Sequence, residues 1–495
     1  MALKYGTLQS LNRSNSDDDK LLEQKFGREE YSDVVGTALT AMPAVRRLFA
    51  GETFYRMEGK YTDRLLELEI PSSGEVSFKV LEIELQMIYD DLYTKATVLR
   101  TRSGIIFRCI SQVSVIVALV LFLVSNKQRY SKADVWITYV LFLGGFCMEV
   151  CGAFMIIAVS PWTWLWFKTR QWRWLTGVSW HILCQIGMPE NRKLWSNQMG
   201  QYTAASYLGH YSGSSSSWKQ WMMKRIIRTV NFLGVGKGTL FWFSKVLDTN
   251  YVKVDRKIME AICQGVDHFH PYTNYSPRKR NFQNLAQLLE LIESPSRTDL
   301  GYAILLLHAF TEVHLYKYSV LPTAPAEATG NIEIEDTLHI MVEICRKLSN
   351  YMLYLLATNQ EMLSVSGSTK QFFEGFREIN IDGNDDNALV NKFDQELREL
   401  GLTHQPQLCK ETLEELRDIW IRLLIYAAGK SRPQMHAGQI ARGGELLTFA
   451  WLIMLHCSVG DSGMRRIELS STGVFGRQRD VAYVFNVEQS SARSV

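Results

Sequence analysis

The chain lacks the residue patterns of the best-defined catalytic and metal sites. Its eight cysteines are scattered without a Cys-x-x-Cys pair, and no His-Glu-x-x-His or Gly-x-Ser-x-Gly sequence is present. A structural zinc ion needs four closely placed ligands, and a hydrolase serine needs its own sharp turn. We therefore expect no cofactor, no metal and no catalytic residues, and reduced cysteines in a protein that faces the cytosol.

The chain also lacks an excess of charge of either sign. Lys and Arg number 54 against 51 Asp and Glu, so the net charge is +3, and the basic residues are spread over 495 positions. Binding to nucleic acid through its backbone requires a concentrated basic surface. Nucleic acid is therefore not an expected partner.

A signal-peptide pattern is missing as well, because Asp17, Asp18 and Asp19 interrupt a start that has no apolar core. Long apolar runs occur instead at residues 105–124 and 135–159, with one charge each, Arg108 and Glu149. Each run is long enough to cross roughly 30 Å of hydrocarbon as a helix. The sequence thus predicts an integral membrane protein with a two-span helical hairpin and the lipid bilayer as a partner.

The basic residues near these spans predict the orientation of the hairpin. Three precede it and three follow it, against three in the loop: Lys95, Arg100 and Arg102; Lys168, Arg170 and Arg173; Lys127, Arg129 and Lys132. Basic residues concentrate on the cytosolic side of membranes. We therefore expect a multi-pass protein with both termini in the cytosol.

A tryptophan-rich segment follows the second span. It interleaves aromatic and basic residues that suit a membrane interface: Trp162, Trp164, Trp166, Lys168, Arg170, Trp172, Arg173 and Trp174. Indole rings favour the headgroup level and cations meet lipid phosphates. The alternative is that these tryptophans pack against the protein's own core.

Glu149 is the residue within the spans for which a specific role is most plausible. Since a carboxylate within the bilayer costs a few kcal/mol, it should be paired. Counting along an antiparallel hairpin places it near Arg108 and Gln112, which we expect to satisfy it, and Gly144 and Gly152 would permit close helix contact. This polar cluster would serve either helix packing or transport.

The remaining chain divides by composition into further regions. Residues 1–75 are polar and expected to be partly disordered, 76–190 form the membrane region, 191–217 a Gly/Ser linker, 218–456 an all-α cytosolic domain, and 457–495 a flexible tail. Within the cytosolic domain, residues 282–292 form an apolar face, starting at Ser276-Pro277 and stopping at Ser294-Pro295. Thr412 and Glu415 have the form of a capping box, and Gly429 closes that helix. Two short apolar runs, 303–310 and 446–455, are predicted to be core helices.

Three motifs resemble ligand sites without meeting their requirements. Residues 234–239 lack the Gly-Lys-Ser/Thr of a phosphate loop, and the loop from Asp382 lacks the glycine and glutamate of a calcium site. His308, Glu312 and His314, like His339 and Glu343, are too few and too divergent for a metal.

Several segments resemble a plant family. They are IELQMIYDDLYTKATVLRTRSG (83–104), RYSKADVWITYVLFLGG, LHIMVEICRKLSNYMLYLL (338–356), and WIRLLIYAAG with HAGQIARGGELLTFAWLIMLH (420–456). The chain resembles, over roughly residues 50–456, the membrane proteins that carry domain of unknown function 4220 followed by domain of unknown function 594. The resemblance implies a plant endomembrane or plasma-membrane protein with further spans upstream, of which this chain would be a shortened member.

The expected function is non-enzymatic. We expect a membrane-anchored interaction or scaffold protein whose cytosolic helices bind a protein partner. The alternatives are a subunit of a channel or transporter, which two spans can build only as a homo-oligomer, and, less favoured, a membrane-bound enzyme.

Overall fold

A computed structural model describes the chain over residues 27–52, 74–94, 101–125, 131–187, 197–203, 249–267, 269, 282–293, 299–320, 332–363, 365, 386–402, 406, 409–463, 465–469 and 481–485. These residues are mostly helical. The chain divides into two compact units, one of residues 1–46 and 67–195, the other of residues 47–66 and 196–495. Residues 1–26 of the region expected to be partly disordered, and most of the Gly/Ser linker predicted at 191–217, lie outside the described residues.

The first unit is built from helices. They are α1 (Arg28–Phe49), whose last three residues fall in the second unit, α2 (Gly74–Tyr93), α3 (Arg102–Val124), α4 (Lys132–Val159), α5 (Pro161–Thr169) and α6 (Arg173–Gln185). Helix α2 precedes the first apolar run and is amphipathic, with Val80, Ile83, Leu85 and Ile88 buried. Leu92, placed on the same face by the sequence, is exposed.

Helix α1 was missed in the polar region 1–75. Its buried residues recur every three or four positions, among them Tyr31, Val34, Ala38, Val45 and Leu48. That spacing is the signal of an amphipathic helix. Pro43 inside the helix and the small side chains beside it weaken the signal.

Helices α3 and α4 correspond to the two predicted spans. Thr101 caps α3 by accepting a hydrogen bond from the backbone N–H of Gly104 at 3.0 Å. Ser131 caps α4 in the same way, because its hydroxyl oxygen accepts from the backbone N–H of Ala133 at 3.1 Å. Side-chain oxygens at these positions satisfy N–H groups that the helix leaves free. The stretches Ile106–Val124 and Lys132–Gly152 are long and apolar enough to cross a membrane, and neither is buried within the protein.

The second unit contains eight α-helices and two small sheets among the described residues. In chain order its elements are β1 (Gln198–Gln201), β2 (Asn250–Lys253), α7 (Arg256–Asp267), α8 (Ala286–Glu293), α9 (Leu300–Val320), α10 (Ile332–Thr358), α11 (Asp386–Glu399), α12 (Lys410–Lys430), α13 (Pro433–Ile440), α14 (Leu446–His456), β3 (Arg466–Glu468) and β4 (Val481–Tyr483). β1 pairs antiparallel with β2, with Gly200 opposite Tyr251, and β3 pairs parallel with β4. An all-α domain was expected, so the sheets are a correction.

Helices α9, α10, α12 and α14 pack around a shared core. The two short apolar runs lie in α9 and α14, and their burial confirms them as core helices. The indole N–H of Trp420, which is fully buried on α12, donates to Thr311 Oγ1 on α9 at 3.1 Å. Such a partner is needed because an unpaired polar group in a core costs about 1–3 kcal/mol.

Two predicted helix boundaries were wrong. Cys409, not Thr412, is the N-cap residue of α12, and its sulfur accepts from the Thr412 N–H. Glu415 instead accepts hydrogen bonds from the backbone N–H groups of Asn284 and Leu285, both at 3.1 Å. It thereby holds the turn before α8, which begins at Ala286 and does not include residues 282–285, contrary to the prediction. The predicted start at residue 277 lies outside the described residues.

The tail was expected to be flexible, yet part of it packs. Ile467, Val484 and Phe485 are buried. Arg422 on α12 donates to the backbone carbonyl of Val484 at 2.7 Å. Strand β4 therefore completes the second unit through contacts distant in sequence, which local patterns do not reveal.

Gly429 does not end α12 but allows a close backbone contact with Gly460. A Cβ on Gly460 would lie 3.1 Å from the Cα of Gly429, and Gly460 has φ +103°. We predict that Gly460→Ala lowers the free energy of unfolding by about 2–3 kcal/mol, from crowding added to backbone strain. Gly401→Ala is the matched control, because Gly401 has φ +102° with open space around its Cβ position. Equal urea midpoints for the two variants would contradict the crowding.

Candidate functional site

An ion pair joins the two apolar helices of the first unit. Arg108 Nη2 lies 3.3 Å from Glu149 Oε2 and donates to the backbone carbonyl of Glu149 at 3.2 Å. Phe122 packs against Tyr139 with ring centroids 5.1 Å apart, so the helices run antiparallel. No described contact links Gln112 to the pair. The arrangement neutralises the two charges that the apolar stretches carry near this end.

Gly152 makes room for the arginine. A Cβ at Gly152 would lie 2.9 Å from Arg108 Nη2, whereas nothing lies within 4 Å of that position at Gly144. Of the two glycines predicted to permit close helix contact, Gly152 therefore does so and Gly144 does not. Arg108 Nε is buried and has no hydrogen-bond partner among the described residues. The guanidinium group is paired through Nη2, with the Glu149 carboxylate.

The tryptophan-rich segment separates into buried and exposed halves. Trp164 is fully buried and packs 5.1 Å from Trp180 and 5.7 Å from Tyr31. Trp162 is half-buried. These residues belong to the core of the first unit, as the alternative reading allowed. The exposed half consists of Trp166, Trp172, Trp174, Arg170 and Arg173, and Lys168 is half-buried beside it.

A buried carboxylate cluster lies in the second unit, and the search for motifs missed it. Glu445 precedes α14 and accepts hydrogen bonds from two hydroxyls of α10, that of Tyr351 at 3.3 Å and that of Tyr354 at 3.1 Å. The Tyr351 hydroxyl in turn accepts from the backbone N–H of Leu447 at 2.9 Å. The cluster therefore fastens the start of α14 to α10.

The sequence did contain a signal for this cluster. Gly443, Gly444 and Glu445 open the Gly-Gly-Glu-Leu-Leu-Thr run, which lies in one of the segments that resemble the family. Both glycines have positive φ, which side chains disfavour, so the run needs them to turn Glu445 inward. Gly200 is required as well, because a Cβ there would lie 2.5 Å from the Tyr354 ring.

Burial changes the acidity of Glu445. It raises the pKa of the carboxyl group from 4.5 to about 7, although the hydroxyls of Tyr354 and Tyr351 and the charge of Arg442 act in the opposite direction. The group is therefore largely protonated below neutral pH. A protonated carboxyl can donate a hydrogen bond as well as accept one, which suits an enclosed site between two hydroxyls.

Two histidines of the second unit are enclosed and neutral. His308 Nδ1 lies 2.7 Å from Ser349 Oγ, and His436 Nδ1 lies 3.2 Å from Thr448 Oγ1. Burial lowers the pKa of each imidazole from 6.5 to about 3. His436 also stacks on Trp451. These contacts favour core roles for both side chains.

The other candidate ligands are also placed apart. His314 stacks on Phe310, His308 meets Ser349, and Glu343 pairs with Lys347 at 2.6 Å. Among the described residues, no group of three His, Cys, Asp or Glu side chains is placed to hold a metal ion. The segment 234–239 and residues 382–385 lie outside the described residues.

Two family models match the chain. Residues 4–207 match a domain of unknown function (DUF4220), and residues 407–459 match a protein of unknown function, DUF594. The order is the one expected from the sequence, but the first match begins well before residue 50, and residues 208–406 are covered by neither model. Comparisons with curated proteins and with solved structures gave no match. Helix α1 and the tryptophan-rich segment lie within the first match. Glu445 lies within the second, whereas its partners Tyr351 and Tyr354 lie between the two matches.

Proposed function

We propose that this chain, which belongs to the proteins that carry a DUF4220 domain followed by a DUF594 domain, is an integral membrane protein that anchors an interaction module. Helices α3 and α4 cross the bilayer, and the helices of the second unit bind a protein partner in the cytosol. The role is non-enzymatic.

The exposed apolar surface of α3 and α4 is the observation that carries this proposal. Its 19-residue and 21-residue stretches would extend about 28 and 32 Å as helices, which matches a hydrocarbon layer of roughly 30 Å. Phe107, Val124 and Met148 each expose more than two thirds of their area. Water would disfavour so much apolar area at about 25 cal/mol per Å², and lipid removes this cost.

The structure of the second unit supports its role as an independent body at the membrane. Its large side chains Trp420, Tyr351, Phe310 and Trp451 are buried within the unit itself. The unit therefore has a core that does not require the apolar surface of α3 and α4. A folded helical body held at a membrane is what an anchored interaction protein requires.

A channel or transporter subunit is the second candidate. The Arg108–Glu149 pair favours it, because ionisable residues in spans often mark ion or proton pathways. Two helices cannot enclose a pore, so this function needs several copies of the chain. A strictly monomeric state in mild detergent and in nanodiscs would count against it.

Alkaline carbonate extraction combined with protease protection tests the anchor. The full chain, tagged at both ends, is expressed in microsomes. Retention in the pellet with both tags digested is the expected result, since six flanking basic residues outnumber three in the loop. Release into the supernatant, or a tag protected from protease, would overturn the proposal. Proximity labelling from the C-terminal tag then identifies the partner.

A further inference from the structure

The turn between α5 and α6 displays aromatic rings and cations together. We call this group the α5–α6 tip: Trp166, Lys168, Arg170, Trp172, Arg173 and Trp174. The three indoles expose 40%, 48% and 75% of their area. Large apolar rings at a surface usually mark a contact with a partner or a membrane.

The charge of this segment is entirely positive. From Cys151 to Pro189 the sequence contains no Asp or Glu, although acidic residues number 51 in the whole chain. The cations of the tip therefore have no acidic neighbour in their own segment. An anionic surface is the complementary partner for such a group.

The backbone of this turn is fixed by its own hydrogen bonds, and the side chains of the tip are exposed except that of Lys168, whose ammonium lies 5.7 Å from the Trp164 ring centroid. Gln171 takes a left-handed conformation at φ 59°, and the N–H groups of Gln171 and Trp172 donate to the carbonyls of Lys168 and Phe167, both at 3.1 Å. This is the bonding pattern of a Schellman turn, with Trp172 stacked on Phe167. Arg170 lies over the Trp166 ring at 5.9 Å. These contacts lie within the protein, so the tip is preorganised for binding.

The tip also continues directly from the apolar helix α4. Ser160 ends α4 and also precedes α5 as its N-cap residue. A bilayer crossed by α4 therefore presents its headgroups near this segment. Indole rings favour that depth, and cations beside them meet the phosphates.

We propose that the α5–α6 tip binds anionic phospholipid headgroups and thereby enriches anionic lipid next to α3 and α4. The inference rests on the proposed membrane crossing of α3 and α4. It assigns the binding to the six tip residues. It excludes Trp164, which is fully buried, and Trp180, which is half-buried and packs against the Trp164 ring. The ligand is a lipid with net negative charge, such as phosphatidylserine.

Lipid-specific fluorescence quenching tests this binding. The full chain is reconstituted in vesicles of phosphatidylcholine and phosphatidylserine, with bromine on the acyl chains of one lipid or the other. Subtracting the signal of the Trp166→Phe/Trp172→Phe/Trp174→Phe variant isolates the tip. We expect brominated phosphatidylserine to quench the tip about twofold more than brominated phosphatidylcholine at equal mole fraction, because three cations enrich anionic lipid locally.

Charge variants complete the test. Lys168→Gln/Arg170→Gln/Arg173→Gln should abolish the preference, as should high salt. Lys253→Gln/Lys257→Gln/Lys410→Gln removes the same charge from exposed positions of the second unit and should retain it. Equal quenching by both lipids, or a tip quenched by neither, would overturn the inference. Carbonate release from the same vesicles would instead show that the anchor itself fails.

Discussion

Acidification from pH 7 to about 4 is expected to destabilise the second unit by about 2–3 kcal/mol, because two buried histidines resist protonation. The pKa of His308 and of His436 falls from 6.5 to about 3 on folding. The stability that each contributes is full above pH 6.5 and is lost as the pH falls toward 3. At 1.36 kcal/mol per pH unit, each costs on the order of 3 kcal/mol by about pH 4.

Glu445 acts in the opposite direction. Its pKa rises from 4.5 to about 7 in the folded chain, so its contribution is full below pH 4.5 and is lost as the pH rises through 7. Acidification therefore regains on the order of 3 kcal/mol from Glu445, which offsets one histidine. Glu293 on α8, whose pKa burial also raises to about 7, adds a smaller gain because it is only half-buried, so the net loss by pH 4 is about 2–3 kcal/mol. Glu445→Gln removes the gain from Glu445, so its stability should fall more steeply with acid than that of the wild type.

Urea unfolding of the detergent-solubilised full chain at several pH values measures these slopes. Tryptophan fluorescence reports on the second unit through the buried rings of Trp420 and Trp451. His308→Gln should flatten the acid limb, because a neutral amide retains a hydrogen bond to Ser349 without titrating. His339→Gln, at an exposed position of α10, is the control and should change the slope only slightly, through the charge interaction of His339 with Glu343. Stability that stays flat between pH 7 and 4 would contradict the argument.

Periodicity predicted the elements whose contacts are local. The apolar residues of α12 between Leu413 and Ala427 recur at helical spacing and are buried, because that spacing decides which side of a helix faces a core. The two long apolar helices also lie where composition placed them. Helix α1 carried the same periodic signal, but polar neighbours and Pro43 obscured it.

The features that could not be predicted depend on contacts between residues far apart in the chain. Glu445 meets Tyr354, and Glu415 meets Leu285, across separations of 91 and 130 residues. Nothing in the local sequence indicates these partners, so Glu415 was predicted to form a capping box with Thr412, three residues away. The tryptophans of α5 and α6 show the same limit, because composition cannot tell Trp164, which is buried, from Trp174, which is exposed.

Separating Arg108 from Glu149 should impair membrane insertion, and the two single variants should differ. Arg108→Leu leaves a short carboxylate among apolar side chains, at a cost of about 2–3 kcal/mol. Glu149→Gln leaves an arginine close to the start of the stretch at Ile106, and its long side chain can extend toward the headgroups. The loss for Glu149→Gln should therefore be about 1 kcal/mol.

A double-mutant cycle isolates the pair from these separate costs. The Arg108→Leu/Glu149→Gln chain lacks both charges and should recover much of the loss, with a coupling energy of about 1–2 kcal/mol. The readout is the carbonate-resistant fraction in microsomes, together with thermal stability in nanodiscs. Ser114→Ala supplies the control cycle, because Ser114 Oγ donates to Ile110 on its own helix at 2.8 Å. Ser114→Ala and Glu149→Gln should add without coupling.

The two candidate functions predict different consequences for the same double variant. A pair that only joins α3 to α4 can be replaced by uncharged side chains, so an anchored interaction protein should keep its partner once insertion is restored. A conducting oligomer uses the charges themselves and should lose ion flux in reconstituted vesicles even when insertion is normal. Restored insertion with unchanged partner labelling would support the anchor, whereas a flux present in the wild type and absent in the double variant would favour the channel.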